Sequence, residues 1–493
     1  MNLAIIQKLP FLALEAQSWA QSHGLIIGQN TVTHCPVTLL PFPVPVQIYE
    51  KAINLSTHWN FLIDTISRDH EFLIQTLSSV AQADSFIRRL LEILQITHNE
   101  GVRQPLSLGL HRCDYMFEGS CVPDSTKFSK QVSESQLLQV KINTISSSFG
   151  ALTDQMSQLH KYLVSRHLTD IYHLECLPEN NCLSKITDLF HLAVQLYAEA
   201  PMTPCLDDSK GCIGTPMNQL VVLMIVPPNE VNATDQRLLE YRLWENHQIP
   251  VIRRTLLQIY SSACLNHNYE LSIDGYTIAV AYFRTGDTLN DYPSQKSWDA
   301  VLMIERSIAI KCPSIGSHLA GSQKIQEALC VPGCLEKFLS IENAQYLRSC
   351  LTGFWGLNND DEETKVIIAT AIQQPDKFIL KSQREGGGNN ICGQEIARIL
   401  SIASIEERSA YILMKRIRPM KKMTAIMRNG KLSVGLCSTE LGIFSGFLGN
   451  GQQIFANTIN GHLLRTQCDV NEAGVMAGFA CFDSPYLVDR GTI

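Results

Sequence analysis

Residues 377–395 read KFILKSQREGGGNNICGQE. The apolar triplet Phe378, Ile379 and Leu380 has β-type character and delivers Lys381 into a polar loop. That loop carries Arg384 and Glu385, then Gly386, Gly387 and Gly388, then Asn389 and Asn390, and a helical segment is expected to begin near Glu395. Consecutive glycines let backbone N–H groups turn toward one anion without obstruction by Cβ. A lysine upstream adds a point charge for phosphate. A carboxylate beside the glycines can hold the magnesium that accompanies a nucleotide. The three glycines alone fit a flexible surface loop equally well. The string is not a Walker motif, because GxxxxGK[ST] is absent.

The chain has 493 residues, enough to bury a large core in two or three domains. Hydrophobic residues make up 45% and charged residues 18%, as in ordinary globular proteins. A net charge of -7 argues against a nucleic-acid partner. The longest apolar run, Leu220 to Val226, is too short to span a bilayer and reads as a buried strand ended by Pro227 and Pro228. The N-terminal apolar stretch is broken by Gln7, Lys8 and Pro10, which is unlike a signal peptide. Sixteen cysteines include no CxxC pair, which argues against a zinc or thioredoxin-like site. Three pairs lie close together: Cys176 with Cys182, Cys205 with Cys212, and Cys330 with Cys334. They fit buried free thiols, or short-loop disulfides in an oxidising compartment. Asn54-Leu-Ser56 and Asn232-Ala-Thr234 fit a glycosylation pattern that is common by chance.

Residues 1 to about 105 read mainly helical, with Leu62, Ile66, Leu73 and Leu77 at helical spacing. LGLHRCDYMF (108–117) is a β-type run that presents Arg112, either as a fork for a ligand carboxylate or as a structural partner of Asp114. From 217 to 322, strands at Leu220–Val226, Pro250–Ile252 and Thr277–Phe283 alternate with a helix at Asp235–Glu245, which predicts a parallel α/β unit. Glu230, Asn232 and Gln236 fit either ligand contacts or helix capping around Asn232 and Thr234. The acidic run 358–363 reads as a solvated loop. The basic run Lys415, Arg416, Arg418, Lys421, Lys422 and Arg428 fits a solvated face or an anionic partner.

These strings resemble eukaryotic glutathione synthetase, an ATP-grasp ligase family, from about Pro36 to Tyr486. KxQREGGGNN is similar to its glycine-rich loop. LGLHRCDYMF resembles LGLNRSDYMF, VKINTISSSFG (140–150) resembles IEINTISASFG, and CSTELGIF (437–444) resembles ISELGIF. HLLRT (462–466) and YFR (282–284) match, and PPNEVNATDQR (227–237) resembles the family's substrate loop. The resemblance implies a mixed α/β ATP-grasp fold with an inserted substrate domain and a lid. The corresponding divisions are 1–216, 217–322, 323–354, 355–436 and 437–493. It implies substrate contacts at Arg112, Ser146, Ser148, Glu230, Asn232, Gln236, Arg284, Arg465, Val475 and Met476. ATP contacts are implied at Lys381, Glu385, Gly386, Gly387, Gly388, Asn389, Asn390, Glu440 and Glu472, and along Met414, Lys415, Arg416 and Ile417, whose counterparts line the adenine. Asn143 and Glu385 would hold magnesium.

The same comparison of motifs exposes departures. Lys141 stands where the family has a magnesium-binding glutamate, Gln323 and Gln467 where it has ATP-binding lysines, and Cys392 where it has a tyrosine. Thr285-Gly286-Asp287 replaces Asp-Gly-Tyr, and Met476 replaces an alanine. The implied function is an ATP-dependent ligase joining γ-glutamylcysteine to glycine or another amine through an acyl phosphate, with weakened or altered activity. The alternative is a non-catalytic, secreted, effector-like protein on the same fold that binds a small thiol peptide or a protein partner. A cytoplasmic homodimer without nucleic-acid or membrane partners is expected on the first reading.

Overall fold

The computed structural model describes residues 3–28, 31–119, 136–200, 219–382, 390–468 and 480–489. Apolar residues at helical spacing build α1 (Leu3–Ser22), α2 (Val46–Arg68), α3 (His70–Ala83) and α4 (Ser85–Glu100). Leu62, Ile66, Leu73 and Leu77 are buried in one core. The carboxylate of Asp69 accepts from Phe72 N, and that of Asp84 accepts from Phe86 N and Ile87 N. Each acid thus satisfies amides that a new helix start leaves without partners.

The strand β1 (Ser107–Glu118) is buried over its first nine residues. It pairs antiparallel with β2 (Gln136–Asn143), in which Asp114 faces Lys141 and Arg112 faces Asn143. After β2 the chain passes through Thr144–Phe149 into α5 (Gly150–His167). The strands read between 217 and 322 form, and they are parallel. β3 (Leu220–Ile225) runs parallel to β4 (Val251–Arg254) and to β5 (Tyr276–Phe283), and β5 runs parallel to β6 (Ile310–Cys312). All six residues of β3 are buried, so LVVLMI shows no polar alternation. The helix α6 (Ala233–His247) makes the crossover between β3 and β4.

A second sheet is separate from this one. Its order is β7 (Phe354–Gly356), β9 (Tyr411–Lys415), β8 (Phe378–Ser382) and Ile391–Cys392, all antiparallel. It has its own core of Leu380, Ile396, Leu400 and Leu413. Phe354, Ile412 and Met414 pack against Leu138 of β2, so Lys381 is carried to the same strand. The long strands β10 (Lys431–Gly449) and β11 (Ile454–Cys468) return to the main sheet, where β10 pairs with β1. Lys421–Arg428 pairs with both β10 and Val37–Thr38, so this end of the sheet closes on itself.

Cys176, Cys182, Cys330 and Cys334 are free thiols, while Cys205 and Cys212 lie outside the described residues. The short-loop disulfide reading therefore fails for the two described pairs. Among the described residues a disulfide joins Cys437 to Cys468, which face each other across β10 and β11. Strand register, not closeness in sequence, brings these two together. No helix among the described residues is long and apolar enough to cross a membrane.

One carboxylate fastens the loop that follows β2. Asp235 of α6 accepts from the amides of Phe149, Ala151 and Leu152 at the start of α5, at 3.0, 2.9 and 3.3 Å. It also accepts from Arg284 Nη2 at 2.9 Å, and both side chains are 2% exposed. Phe149 has φ 82° and Ser146 has φ 50°. Such backbone costs about 1–3 kcal/mol per residue and persists only where surroundings enforce it. Asp235→Ala is expected to lower unfolding free energy by about 3–5 kcal/mol in urea titration, because it strands the Arg284 charge and frees three amides. Asp235→Asn, which keeps an acceptor, is expected to lose less.

Candidate functional site

The site is built around Asp114, which is fully buried on β1. Arg112 donates to it through Nε at 2.7 Å and Nη2 at 3.1 Å, Arg465 of β11 through Nη2 at 3.0 Å, and Asn143 of β2 through Nδ2 at 2.9 Å. Burial would raise the Asp114 pKa, but the Arg112 and Arg465 guanidiniums outweigh it and hold the carboxyl well below the usual range. Arg465 Nη2 also donates to Glu440 of β10 at 2.7 Å. Gly442 lies opposite Asp114 in register, and a Cβ there would come within 2.8 Å of Asp114 Oδ1 and 3.0 Å of Arg112 Cδ. The glycine of the ELGIF string thus leaves room for the ion pair.

A second cluster adjoins the first through Ser148. Its carbonyl accepts from Arg112 Nη1 at 3.0 Å, and its hydroxyl accepts from Arg284 Nη2 at 3.1 Å while donating to Ser146 O at 3.0 Å. Glu230 accepts from Asn232 N at 2.6 Å and from Gln236 Nε2, and Gln236 Oε1 accepts from Arg253 Nη2 at 2.5 Å. Asn232 occupies the cap position of α6, yet its side chain makes no capping hydrogen bond. It is 3% exposed, and neither its Oδ1 nor its Nδ2 has a partner among the described residues. The capping reading therefore does not hold for its side chain, and a buried amide left this way is a place where a ligand can bind.

Lys381 comes from the small sheet, and its Nζ donates to Val140 O on β2 at 3.0 Å. Burial pushes its pKa down to about 8, with repulsion from Lys141 added, while Glu440 and Asp114 pull the other way. The site therefore gathers Arg112, Arg465, Lys141 and Lys381 against Asp114 and Glu440. Met414 and Ile417 are buried, Lys415 and Asn390 are exposed, and Arg416 is half-buried. The amides of Lys415 and Arg416 donate to Gly353 O and Lys377 O, each at 2.8 Å. Gln323 begins α7 (Gln323–Cys330) and is buried, with Oε1 unpartnered among the described residues. The neighbouring Lys324 does not take over a missing lysine's place, because it is paired with Glu327 and donates to Asn358 at 3.2 Å. Gln467 faces Ser438 across β10 and β11. Glu385, Gly386, Gly387, Gly388, Asn389, Glu472, Val475 and Met476 lie outside the described residues.

Lys141 does not fit a magnesium ion at the position it occupies. Asn143 donates its amide nitrogen to Asp114 and to Arg112 O, and its Oδ1 is the atom that could face a cation. Asp114 and Glu440 are engaged by arginine. Lys141 is an ammonium, which cannot ligate a cation and repels one. No three His, Cys, Asp or Glu side chains converge to hold a metal among the described residues. Sequence reading missed the role of Asp114 as a shared partner, that of Gly442, and Arg253 altogether. Asp114 and Gly442 were within quoted motifs, but only pairing across β1, β10 and β11 shows what they do.

A mixed α/β core bearing a second, four-stranded sheet, with cations gathered where the two meet, has the architecture of an ATP-grasp ligase. The comparisons agree with it. The model of the family described as "Eukaryotic glutathione synthase, ATP binding domain" matches residues 7–487. Glutathione synthetase of Dictyostelium discoideum is 38% identical, over 98% of this chain and 99% of that protein, and that of Homo sapiens is 36% identical over 98% of each. A glutathione synthetase-like effector from Globodera pallida, in its apo form, superposes with TM-score 0.74 at 22% identity, covering 98% of this chain and 97% of that one. The chain belongs to the eukaryotic glutathione synthetase family.

The placement of Lys381 carries a pH dependence. Lys141 on β2, Asp114 on β1 and Glu440 on β10 all act on it. Its ammonium is charged below about 8 and neutral above, and a bound anion favours the charged form. Affinity for an anion held by Lys381, with ATP as the probe, is therefore expected to fall as pH rises from 7.5 to 9, approaching about tenfold per pH unit above the free-protein pKa. Lys381→Arg should flatten that profile in a fluorescence titration at constant ionic strength.

Proposed function

We propose that the chain is an ATP-dependent carbon–nitrogen ligase that extends γ-glutamylcysteine with glycine or a related amine, acting as a homodimer. A carboxylate oxygen of the dipeptide attacks the γ-phosphorus of ATP, and ADP leaves. The amine nitrogen then attacks the acyl phosphate carbon, phosphate leaves, and the nitrogen gives up a proton as the amide forms. The protein contributes positioning and charge stabilisation, not a covalent nucleophile. Arg112, Arg284 and Arg465 supply planar N–H forks for substrate carboxylates. Asn232, with Glu230 and Gln236 beside it, offers an amide to the dipeptide. Lys381 meets phosphate, the backbone of Met414, Lys415, Arg416 and Ile417 meets adenine, and Glu440 meets ribose.

The observation that carries this reading is the excess of cationic donors around Asp114 and Glu440, in a chain that aligns with glutathione synthetases nearly end to end. The same site argues for slow chemistry. Gln323 and Gln467 are neutral, Lys141 is no metal ligand, and Lys324 is paired with Glu327. Each lost stabiliser of a transferring phosphoryl group costs on the order of 100-fold in rate. This neutrality also supports a second reading, a binding protein that retains the substrate side alone, as the likeness to an effector suggests.

Phosphate release from ATP with γ-glutamylcysteine and glycine, with product mass read in parallel, separates the two. The expected result is glutathione formed at a rate about 100-fold or more below that of the Dictyostelium enzyme assayed alongside. Gln467→Lys is expected to raise the rate. No phosphate release with glycine or with a panel of other amines would overturn the ligase reading.

A further inference from the structure

Two lysines from different sheets meet on one strand. Lys141 lies on β2 opposite Asp114. Lys381 comes from β8 and hydrogen-bonds the carbonyl of Val140, the residue just before Lys141. The Nζ of Lys381 thus sits on the backbone of the strand that carries Lys141, one residue from it. The carboxylates that could balance them are engaged. Asp114 serves Arg112, Arg465 and Asn143, and Glu440 serves Arg465. Asp287 lies near Lys141 as well, but burial, with Asp291 added, pushes its pKa up against the pull of Lys141.

Beyond Lys141 on the same chain segment come buried hydroxyls. Thr144 is 1% exposed, and Gly321 approaches it so closely that a Cβ would lie 2.2 Å from its Oγ1. Thr144 Oγ1, and Ser322 Oγ and Gln323 Oε1 at the start of α7, are buried without partners among the described residues. Hydroxyls and the first amides of a helix suit phosphate oxygens. A divalent cation bridging two phosphoryl oxygens supplies two positive charges at one point. Two lysines supply the same charge as two donors, each able to move. A cation added beside them would meet their repulsion.

We propose that Lys141 and Lys381 together stand in for the divalent cation, so that a nucleoside triphosphate binds this pocket as tightly without magnesium as with it. The proposal rests on the nucleotide reading given above. It concerns binding, and it accounts for slow turnover, because mobile ammonium groups hold a polyphosphate less rigidly than a metal bridge does.

The test is ATP affinity of the full chain, by displacement of a fluorescent nucleotide, in excess chelator and in millimolar magnesium. The two dissociation constants are expected to agree within about threefold. A constant weakened about tenfold or more in chelator overturns the proposal and leaves the nucleotide reading standing. No displacement in either buffer overturns the nucleotide reading itself. Lys141→Gln is expected to lose about tenfold or more in chelator while gaining dependence on magnesium, and unchanged affinity in chelator overturns the role of Lys141. Lys141→Glu is expected to bind only with magnesium. Because it sets an acid against Asp114, its thermal melt and that of Lys141→Gln are compared with the parent first, and Lys141→Gln decides where Lys141→Glu unfolds.

Discussion

The carboxylate of Asp114 is a fully buried charge, and the site takes its shape from how that charge is satisfied. Taking an acid out of water costs several kcal/mol, and only close, hydrogen-bonded counter-charges recover it. Arg112 does so from the same strand and Arg465 from β11, and Asn143 of β2 adds a neutral hydrogen bond. Three strands are thereby fixed in register around one side chain. The guanidiniums cannot swing away without stranding the acid, so their remaining N–H groups point where the fold puts them. Gly442 belongs to the same constraint, since any side chain there would occupy the volume the pair needs.

Asp235 has a comparable role in the neighbouring layer, and the two acids differ in what they hold. Asp114 holds side chains, whereas Asp235 holds backbone: three amides of the turn into α5, with Arg284 closing its other edge. That turn includes two non-glycine residues with positive φ, Ser146 and Phe149. Ser148 lies between them and touches both arginine systems. The geometry of the dipeptide side therefore depends on a loop that is stable only because α6 supplies an acid to it.

The sequence was legible wherever one segment carries its own pattern. The helices of residues 1–105, the buried run of β3 and the parallel strands after it, and the short strands bearing Lys381 and Met414 follow from periodicity and turn residues. What was not legible depends on register between distant strands. Cys437 and Cys468 become partners only because β10 and β11 pair in one particular alignment. The cysteines nearest in sequence, Cys176 with Cys182 and Cys330 with Cys334, remain thiols. Asn232 misled in another way. Its position reads as a helix cap, but Glu230 takes the amide beside it and leaves the Asn232 side chain unused. At Arg112 the motif allowed a ligand fork or a structural pair with Asp114. The structure shows the pair, made with only some of the guanidinium's five N–H groups.

That dual use bears on how the site should be weighed. Arg112, Arg465 and Arg284 each neutralise a buried acid, so their replacement would leave a buried charge uncompensated whatever the protein binds. Their agreement with the family pattern thus has a folding reason as well as a ligand reason, and the ligand reason rests on the N–H groups these pairs leave over. Lys141, Gln323 and Gln467 form no ion pair with a buried acid among the described residues, and these are positions where the chain departs from the pattern. The features that point to a ligand are those the fold does not require: the idle amide of Asn232, the buried hydroxyls of Thr144 and Ser322, and the convergence of Lys141 with Lys381. An unpaired buried amide costs about 1–3 kcal/mol in stability, and a bound dipeptide or nucleotide that supplied its hydrogen bonds would recover that cost.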